Sequence, residues 1–421
     1  MYREQSELFD VVVIGGGPAG MMAAGRAAER GAKVILIEKN SGLGKKLLIT
    51  GGGRCNVTNA EPDTRKLLAK FKENDQFLFS AFSQWNVKDT LDFFHSRGME
   101  TKVEAELRVF PITNKSQSVW NVLVEHIKAH GVSVLSKSPV EELELLDNLV
   151  SGIKLKDGSI IKARSVILAT GGISHPETGS TGDGFKWLSG MGHKITRPVA
   201  ALVPIAIKDK WVERVAGLTL PKAKITVLQG GVKQEISSGK ILFTHVGLSG
   251  PAILNLSASV GELLKYGEVV ILLDLLPELD YSMLNDKFQE IFKEQDKRKF
   301  KNCLSALVPS SLAPVIVSLS GIDPDKQCNS VTREERLGLV KLLKHLDLAV
   351  DSLLGEDKAI TTSGGVSLDE VDFKTMRSRL LPNLYIVGDL LNIDRPSGGY
   401  SLQLCWTTGF VAGNSVELVK S

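Results

Sequence analysis

A chain of 421 residues, 43% apolar and 24% charged, is long enough for two or three domains with sizeable cores. Its net charge of +3 is too small to indicate nucleic acid or an anionic membrane as partner, and no apolar run approaches the roughly 20 residues of a membrane helix. No apolar leader core precedes Phe9, and Cys55, Cys303, Cys328 and Cys405 are widely spaced with no C-x-x-C pair, which predicts reduced thiols, a cytoplasmic protein and no metal site.

The first predicted element is a strand over Val11–Ile14, apolar throughout and so buried on both faces. Gly15-Gly16-Gly17-Pro18-Ala19-Gly20 follows, then a helix over Met21–Arg30 whose small residues let it lie close against a sheet, with Gly31 at its C-terminal cap. Val34–Ile37 is the second strand, ending on Glu38. This β-α-β unit carries a dinucleotide fingerprint in its proper context. Gly15 permits the turn, Gly17 admits a pyrophosphate and Gly20 lets helix and strand pack. The helix N-terminus binds phosphate oxygens, and Glu38 is placed to accept from a ribose diol. A carboxylate there would repel a 2′-phosphate, so the ligand expected is FAD or NAD. Pro18, Ala19, Lys39 and Lys45 join the candidate cofactor contacts.

Gly51-Gly52-Gly53-Arg54-Cys55-Asn56-Val57-Thr58-Asn59 combines backbone freedom with polar donors and reads as a cofactor-contacting loop, with Gly52, Gly53, Arg54, Cys55 and Asn56 as candidates. Cys55 is also simply a small residue suited to burial. Residues 75–130 are predicted mainly helical, with amphipathic stretches at 85–96 and 116–130 around a strand or turn at 108–111. The 132–168 region alternates apolar and polar residues around an Asp157-Gly158 turn, an antiparallel meander returning to the main sheet. It ends on Ala169-Thr170-Gly171-Gly172, small residues where a cofactor can cross the sheet edge. Thr181 or Asp183 is the expected cap of a short helix from Phe185. His175, before a proline, reads as a loop residue.

From 195 to 275 short alternating runs broken by glycine predict a β-rich insert, and charged periodic segments over 276–360 predict a helical subdomain. Residues 361–421 return to the first domain through a strand at 384–387 ending in Gly388-Asp389, then Gly398-Gly399-Tyr400 and a helix over 402–418. Asp389 is a candidate partner for a ribityl hydroxyl. The last helix's N-terminus is suited to partial negative charge on a flavin N1–C2=O edge.

Taken together, the fingerprint, Ala169-Thr170-Gly171-Gly172 and Gly388-Asp389 resemble two-dinucleotide-binding-domain flavoproteins. Gly51–Asn59, Arg108–Pro111, Gly179–Gly184, Leu242–Pro251 and Gly398-Gly399-Tyr400 resemble, more narrowly, the aminoacetone-oxidase and 3-dehydro-bile-acid-reductase family of FAD enzymes. That resemblance implies an α/β fold: a Rossmann-like FAD-binding domain (1–194 and 361–421) with an inserted β-barrel-like domain (195–275) and a helical subdomain (276–360). It implies FAD held by residues 11–60, 169–184 and 388–403. The chain departs from the family pattern at Asn392, Arg395, Pro396 and Ser401, near the expected flavin edge.

The expected activity is FAD-dependent oxidation or reduction of a small organic substrate by hydride transfer at flavin N5. NAD(P)H is the candidate donor, docking transiently because no second fingerprint is present, or oxygen the acceptor. His245 and Tyr400 are the catalytic candidates, His245 for acid/base work, with a structural histidine as the alternative. An RNA-modifying flavoprotein and a non-catalytic flavin-binding protein are the competing classes; the weak basicity counts against the first.

Overall fold

The computed structural model describes residues 8–418. The chain divides into two compact units, with boundaries after Ala201 and before Ala359. Unit 1 begins with β1 (Leu8–Ile14), α1 (Pro18–Glu29), β2 (Val34–Ile37), α2 (Lys45–Gly53), β3 (Thr58–Asn59), α3 (Thr64–Leu68), α4 (Asp75–Gln84) and α5 (Val87–His95). It continues through β4 (Thr101–Glu104), β5 (Arg108–Pro111), α6 (Ser116–Ala129), β6 (Ser133–Leu135), β7 (Val140–Leu146), β8 (Leu149–Leu155), β9 (Ile160–Leu168), α7 (Asp183–Gly190) and β10 (Ile195–Ala201). Unit 2 contains β11 (Ile205–Ile207), β12 (Thr219–Gln229), β13 (Val232–Phe243), β14 (Gly247–Ser249), α8 (Pro251–Leu264), β15 (Val269–Asp274), α9 (Tyr281–Glu294), α10 (Ala313–Ser320), α11 (Arg333–Lys344) and β16 (Leu346–Leu353). The chain re-enters unit 1 with β17 (Thr361–Val366), β18 (Leu384–Ile386) and α12 (Tyr400–Ser415).

The main sheet of unit 1 has the order β6-β2-β1-β9-β8-β7, with β18 also paired to β9. Val11, Val12 and Val13 are fully buried, as strands of a parallel sheet covered on both faces must be. The parallel register sets Ile14 beside Ile37 and Leu168, Leu168 beside Ile386, and Ile37 beside Leu135. The parallel strands therefore end level, and Gly15, Glu38, Ala169 and Val387 emerge together along one carboxyl edge. Open α/β sheets bind their ligands in the crevice outside such an edge. β7, β8 and β9 form the antiparallel meander on the other side of β1.

The small residues of α1 have a partner that the sequence does not announce. A Cβ at Gly409 would lie 2.4 Å from the Ala19 carbonyl oxygen, and one at Gly413 would lie 2.4 Å from that of Ala23. Gly409 and Gly413 are one turn apart on α12, as Ala19 and Ala23 are on α1, so the two backbones touch along a shared seam. α12 is buried on nearly every face, Trp406 completely, and so shows no amphipathic stripe.

Unit 2 is built on a closed antiparallel barrel in the order β11-β14-β13-β12-β15-β16. Ile225 and Val227, Ile271 and Leu273, and Leu348 and Val350 alternate into its core, with Phe288 of α9 and Leu339 and Leu343 of α11 in the same cluster. Three expectations are corrected here. β10 pairs antiparallel with β17 inside unit 1, so the insert starts at Leu202 rather than 195. β16 closes the barrel from within the stretch expected to be helical; its two-residue alternation is brief and directly follows α11. Cys303 and Cys328 form a disulfide, although 25 residues separate them, because a bridge between Lys299 and Gln327 brings their segments together. Cys55 and Cys405 are free and buried. None of the described helices is long and apolar enough to cross a membrane.

Candidate functional site

The crevice is shaped first by absent side chains. Gly15 has φ +105°, and a Cβ there would lie 2.4 Å from the Ala169 carbonyl oxygen. A Cβ on Gly20 would meet the Gly15 carbonyl oxygen at 1.9 Å, so glycine at both positions lets β1, β9 and α1 converge. Gly17 differs: its Cβ would meet nothing within 4 Å. It sits at the cap of α1, where no side chain satisfies the terminal N–H groups. The result is an open cradle of backbone donors at the positive end of a helix.

Glu38, 8% exposed, closes one side of this cradle. Its Oε2 accepts from the Gly16 N–H at 2.8 Å, and its Oε1 accepts from the Asn40 backbone N–H and side-chain amide, both at 2.8 Å. A carboxylate offers about four lone-pair positions, so one, on Oε2, remains for a ribose hydroxyl. Lys39 Nζ contacts Asp183 at 2.8 Å and Thr181 Oγ1 at 2.5 Å. Burial pushes the Asp183 carboxyl up, but hydrogen bonds from Lys39 and Thr181 and the charges of Lys39 and Lys186 outweigh it and hold it low. Asp183 is not the cap of α7: Gly182 occupies that position, and Thr181 bonds to Lys39 and Asp183 instead.

At the other end β18 delivers Gly388 and Asp389. The Gly388 N–H donates to Thr408 Oγ1 at 3.1 Å, tying this turn to α12. Asp389 is ion-paired with Arg395 and lies 3.5 Å from Lys46 Nζ. Burial raises the Asp389 carboxyl, and those two cations bring it below its ordinary value. A Cβ on Gly399 would lie 2.4 Å from the Thr58 carbonyl, so α12 can begin against β3 only with glycine there. The Cys405 thiol, facing the same space, is pushed up to about 12 by burial and by Asp389, and is therefore neutral.

A continuous cleft of about 1220 Å³, measured out to its open mouth, joins these two ends. Gly15, Gly17, Pro18 and Ala19 line it with Glu38, Lys39 and Lys45 at one end. Ala169, Thr170, Gly171 and Asp183 line its middle, and Gly388 and Asp389 its far end. Thr170 Oγ1 is buried against Gly184 at the start of α7, so its hydroxyl does not face the cleft. The elongated cleft and the phosphate cradle fit a dinucleotide such as FAD.

Other expected contacts lie elsewhere. Gly52, Gly53, Arg54, Cys55 and Asn56 do not line this cleft. Arg54 pairs with Glu104 at 2.5 Å and lies over the Phe110 ring, while Asn56 Oδ1 accepts from the Val109 N–H at 3.1 Å. Cys55 is buried, which raises its thiol to about 12. These residues hold the loop to β5, a structural use that polar composition alone does not distinguish from ligand contact. Thr181, Gly398 and Gly399 also lie outside the lining. Tyr400, the other catalytic candidate, is 8% exposed, with its ring packed edge-on to Phe71 at 6.0 Å, and does not line this cleft. His245 lies in unit 2, exposed on the turn between β13 and β14, and we assign it no step. Ser138 and Trp187 also line the cleft, outside the ranges expected to hold FAD and with no sequence signal to mark them, whereas Ser401 and Leu402 line it within the expected 388–403 range.

Comparison with known proteins comes to bear on this geometry. The sequence model described as the HI0933-like protein Rossmann domain matches residues 9–415. The chain is 31% identical over 410 residues, 96% of its length, to the 3-dehydro-bile acid delta(4,6)-reductase of Clostridium scindens, of which it covers 98%. It is 29% identical over 421 residues, 99% of its length, to the ribosomal RNA dihydrouridine synthase of Escherichia coli, of which it covers 100%. Among solved structures it is similar to the 3-ketosteroid delta1-dehydrogenase of Sterolibacterium denitrificans, with a TM-score of 0.56 and 14% identity over 97% of this chain and 99% of that one. It is also similar to a flavocytochrome c3 fumarate reductase, with a TM-score of 0.55 and 18% identity over 98% of this chain and 78% of that one. At these identities the two structures establish the fold.

Proposed function

This chain belongs to the HI0933-like Rossmann-domain family and is an FAD-dependent oxidoreductase; from that premise we propose that it reduces a carbon–carbon double bond conjugated to a carbonyl on a small organic molecule, by hydride transfer at flavin N5 with NAD(P)H as donor. The observation that carries this reading is the continuous cleft of unit 1, from Gly17 and Glu38 at one end to Asp389 and Ser401 at the other. Its two ends suit the two ends of FAD. The Gly17 turn and the first N–H groups of α1 bind the pyrophosphate, and Glu38 takes a ribose hydroxyl. The N-terminus of α12 favours partial negative charge on the N1–C2=O edge. When bound, FAD supplies the two-electron chemistry. Lys46 and Arg395 hold Asp389 ionised beside it, and the neutral Cys405 thiol adds no second negative charge. The substrate class is supported by the delta(4,6)-reductase name of the Clostridium relative, which denotes saturation of carbon–carbon double bonds.

A second reading, reduction of a uracil ring in ribosomal RNA, is favoured by one observation: the Escherichia coli relative matched end to end carries that name. Both reactions saturate a double bond conjugated to a carbonyl, so the same cofactor site serves either. The net charge of +3 favours the small molecule, since RNA affinity rests largely on phosphate neutralisation. The deciding experiment reduces the FAD-loaded protein with NADH or NADPH, then offers an enone steroid or a uridine-containing ribosomal RNA transcript. Flavin reoxidation with loss of the enone absorbance supports the proposal. Reoxidation by the transcript alone, with dihydrouridine formed, replaces it with the second reading. Protein that takes up no FAD on titration sinks both.

A further inference from the structure

We propose that Arg395 is a positioning residue that leaves the Ser401 hydroxyl as a hydrogen-bond donor facing the ring end of the cleft; this rests on the cofactor reading above. The Arg395 side chain is 1% exposed, and arginine is almost never buried so fully without partners. It has them. Nη2 bonds the Asp389 carboxylate, Nη1 donates to the Ile393 carbonyl at 2.6 Å, and Nε donates to Ser401 Oγ at 3.1 Å.

Guanidinium has no acceptor, so the Ser401 oxygen must be accepting from it. The serine's own O–H proton therefore points away from Arg395. No acceptor for it is found among the described residues, and Ser401 lines the cleft. An oxygen that accepts from a cation is polarised into a stronger donor. Ser401 is also the second residue of α12, where the terminal N–H groups already favour negative charge.

Charge balance points the same way. Asp389 faces the same cleft, and alone it would oppose negative charge building on a bound ring. Arg395 and Lys46 flank it, so the three side chains sum to one positive charge rather than one negative. The cluster thus supplies a neutral hydroxyl donor on a net positive background.

The test uses the FAD-loaded full chain, with the midpoint potential read by spectroelectrochemistry and the FAD dissociation constant read by titration of stripped protein. Ser401→Ala is expected to shift the reduction equilibrium at least tenfold toward the oxidised form, about 30 mV for a two-electron couple. Ser401→Thr, which keeps the hydroxyl, is expected to restore it. Arg395→Lys should give a similar shift alone and none in addition to Ser401→Ala, because the arginine acts through that hydroxyl. An unchanged potential in Ser401→Ala with FAD still bound overturns the inference and leaves the cofactor reading standing. A further fall when Arg395→Lys is added to Ser401→Ala overturns it too, because the guanidinium then acts by a route other than that hydroxyl. Should Arg395→Lys not fold, the two Ser401 variants decide alone. If the wild-type chain takes up no FAD, the cofactor reading fails and the inference goes with it.

Discussion

Substituting valine for Gly17 separates binding from folding in one residue. Gly17 has φ −78° and ψ −175°, extended backbone open to any side chain, and a Cβ there meets nothing within 4 Å. The folding cost should therefore stay below about 1 kcal/mol, the scale of an unfavourable residue at a helix cap. The added side chain instead fills the space through which a pyrophosphate reaches the backbone. Losing two hydrogen bonds to a charged acceptor, at roughly 1.5–3 kcal/mol each, weakens FAD binding by about a hundredfold or more. Gly20→Ala should do the opposite. Its methyl would sit 1.9 Å from the Gly15 carbonyl oxygen, and overpacking of that kind costs roughly 1–3 kcal/mol or more. Each variant is stripped of flavin, titrated with FAD by fluorescence quenching, and unfolded in urea without FAD. Gly17→Val with wild-type FAD affinity, or as destabilised without FAD as Gly20→Ala, would refute the assignment of the cradle.

Three further outcomes are expected. Glu38→Gln replaces the acceptor of the Gly16 N–H and removes the charge offered to a ribose hydroxyl; the FAD dissociation constant should rise at least about tenfold, one charged hydrogen bond, and an unchanged titration curve would exclude that role. Asp389→Asn leaves the buried Arg395 guanidinium without its counter-charge and should cost about 3–5 kcal/mol in urea unfolding; a loss under about 1 kcal/mol would show that the pair is not buried in solution. His126 is 4% exposed, and burial, then the nearby Arg97, lower its imidazole to about 4 from 6.5. Between those values the unfolded chain holds a proton that the folded chain refuses, so stability present above pH 6.5 is lost as pH falls toward 4, by about 3 kcal/mol at most. Melting temperatures from pH 7 to 4 should fall more steeply for the wild type than for His126→Gln, and parallel curves would count against it.

Much of unit 1 was legible because its signals are local. Val11–Ile14, the glycine turn and Glu38 lie within one β-α-β unit, where sequence order is also spatial order. Asp157-Gly158 marked the meander for the same reason. The polar run from Arg54 to Asn56 is ambiguous in sequence, because polar side chains that anchor a loop to β4 and β5 look there like those that hold a ligand. Glycine beside Tyr400 carries the same ambiguity: Gly399 is needed for the close contact with the Thr58 carbonyl, whatever the tyrosine does. Within the stretch expected to form a helical subdomain, residues 304–318 are not one continuous helix. Regular helix covers only Ala313–Ser320, since Pro309 lacks the N–H that a continuous helix would need.

By itself the sequence determined the dinucleotide turn, the acidic end of the second strand and the α/β class, because each follows from residue type and spacing over a few positions. Tertiary structure alone decided which distant residues meet: Gly409 against Ala19, Cys303 with Cys328, and Arg395 between Asp389 and Ser401. Close backbone approach and buried charge pairing depend on where chain segments arrive in space, and no local periodicity records that.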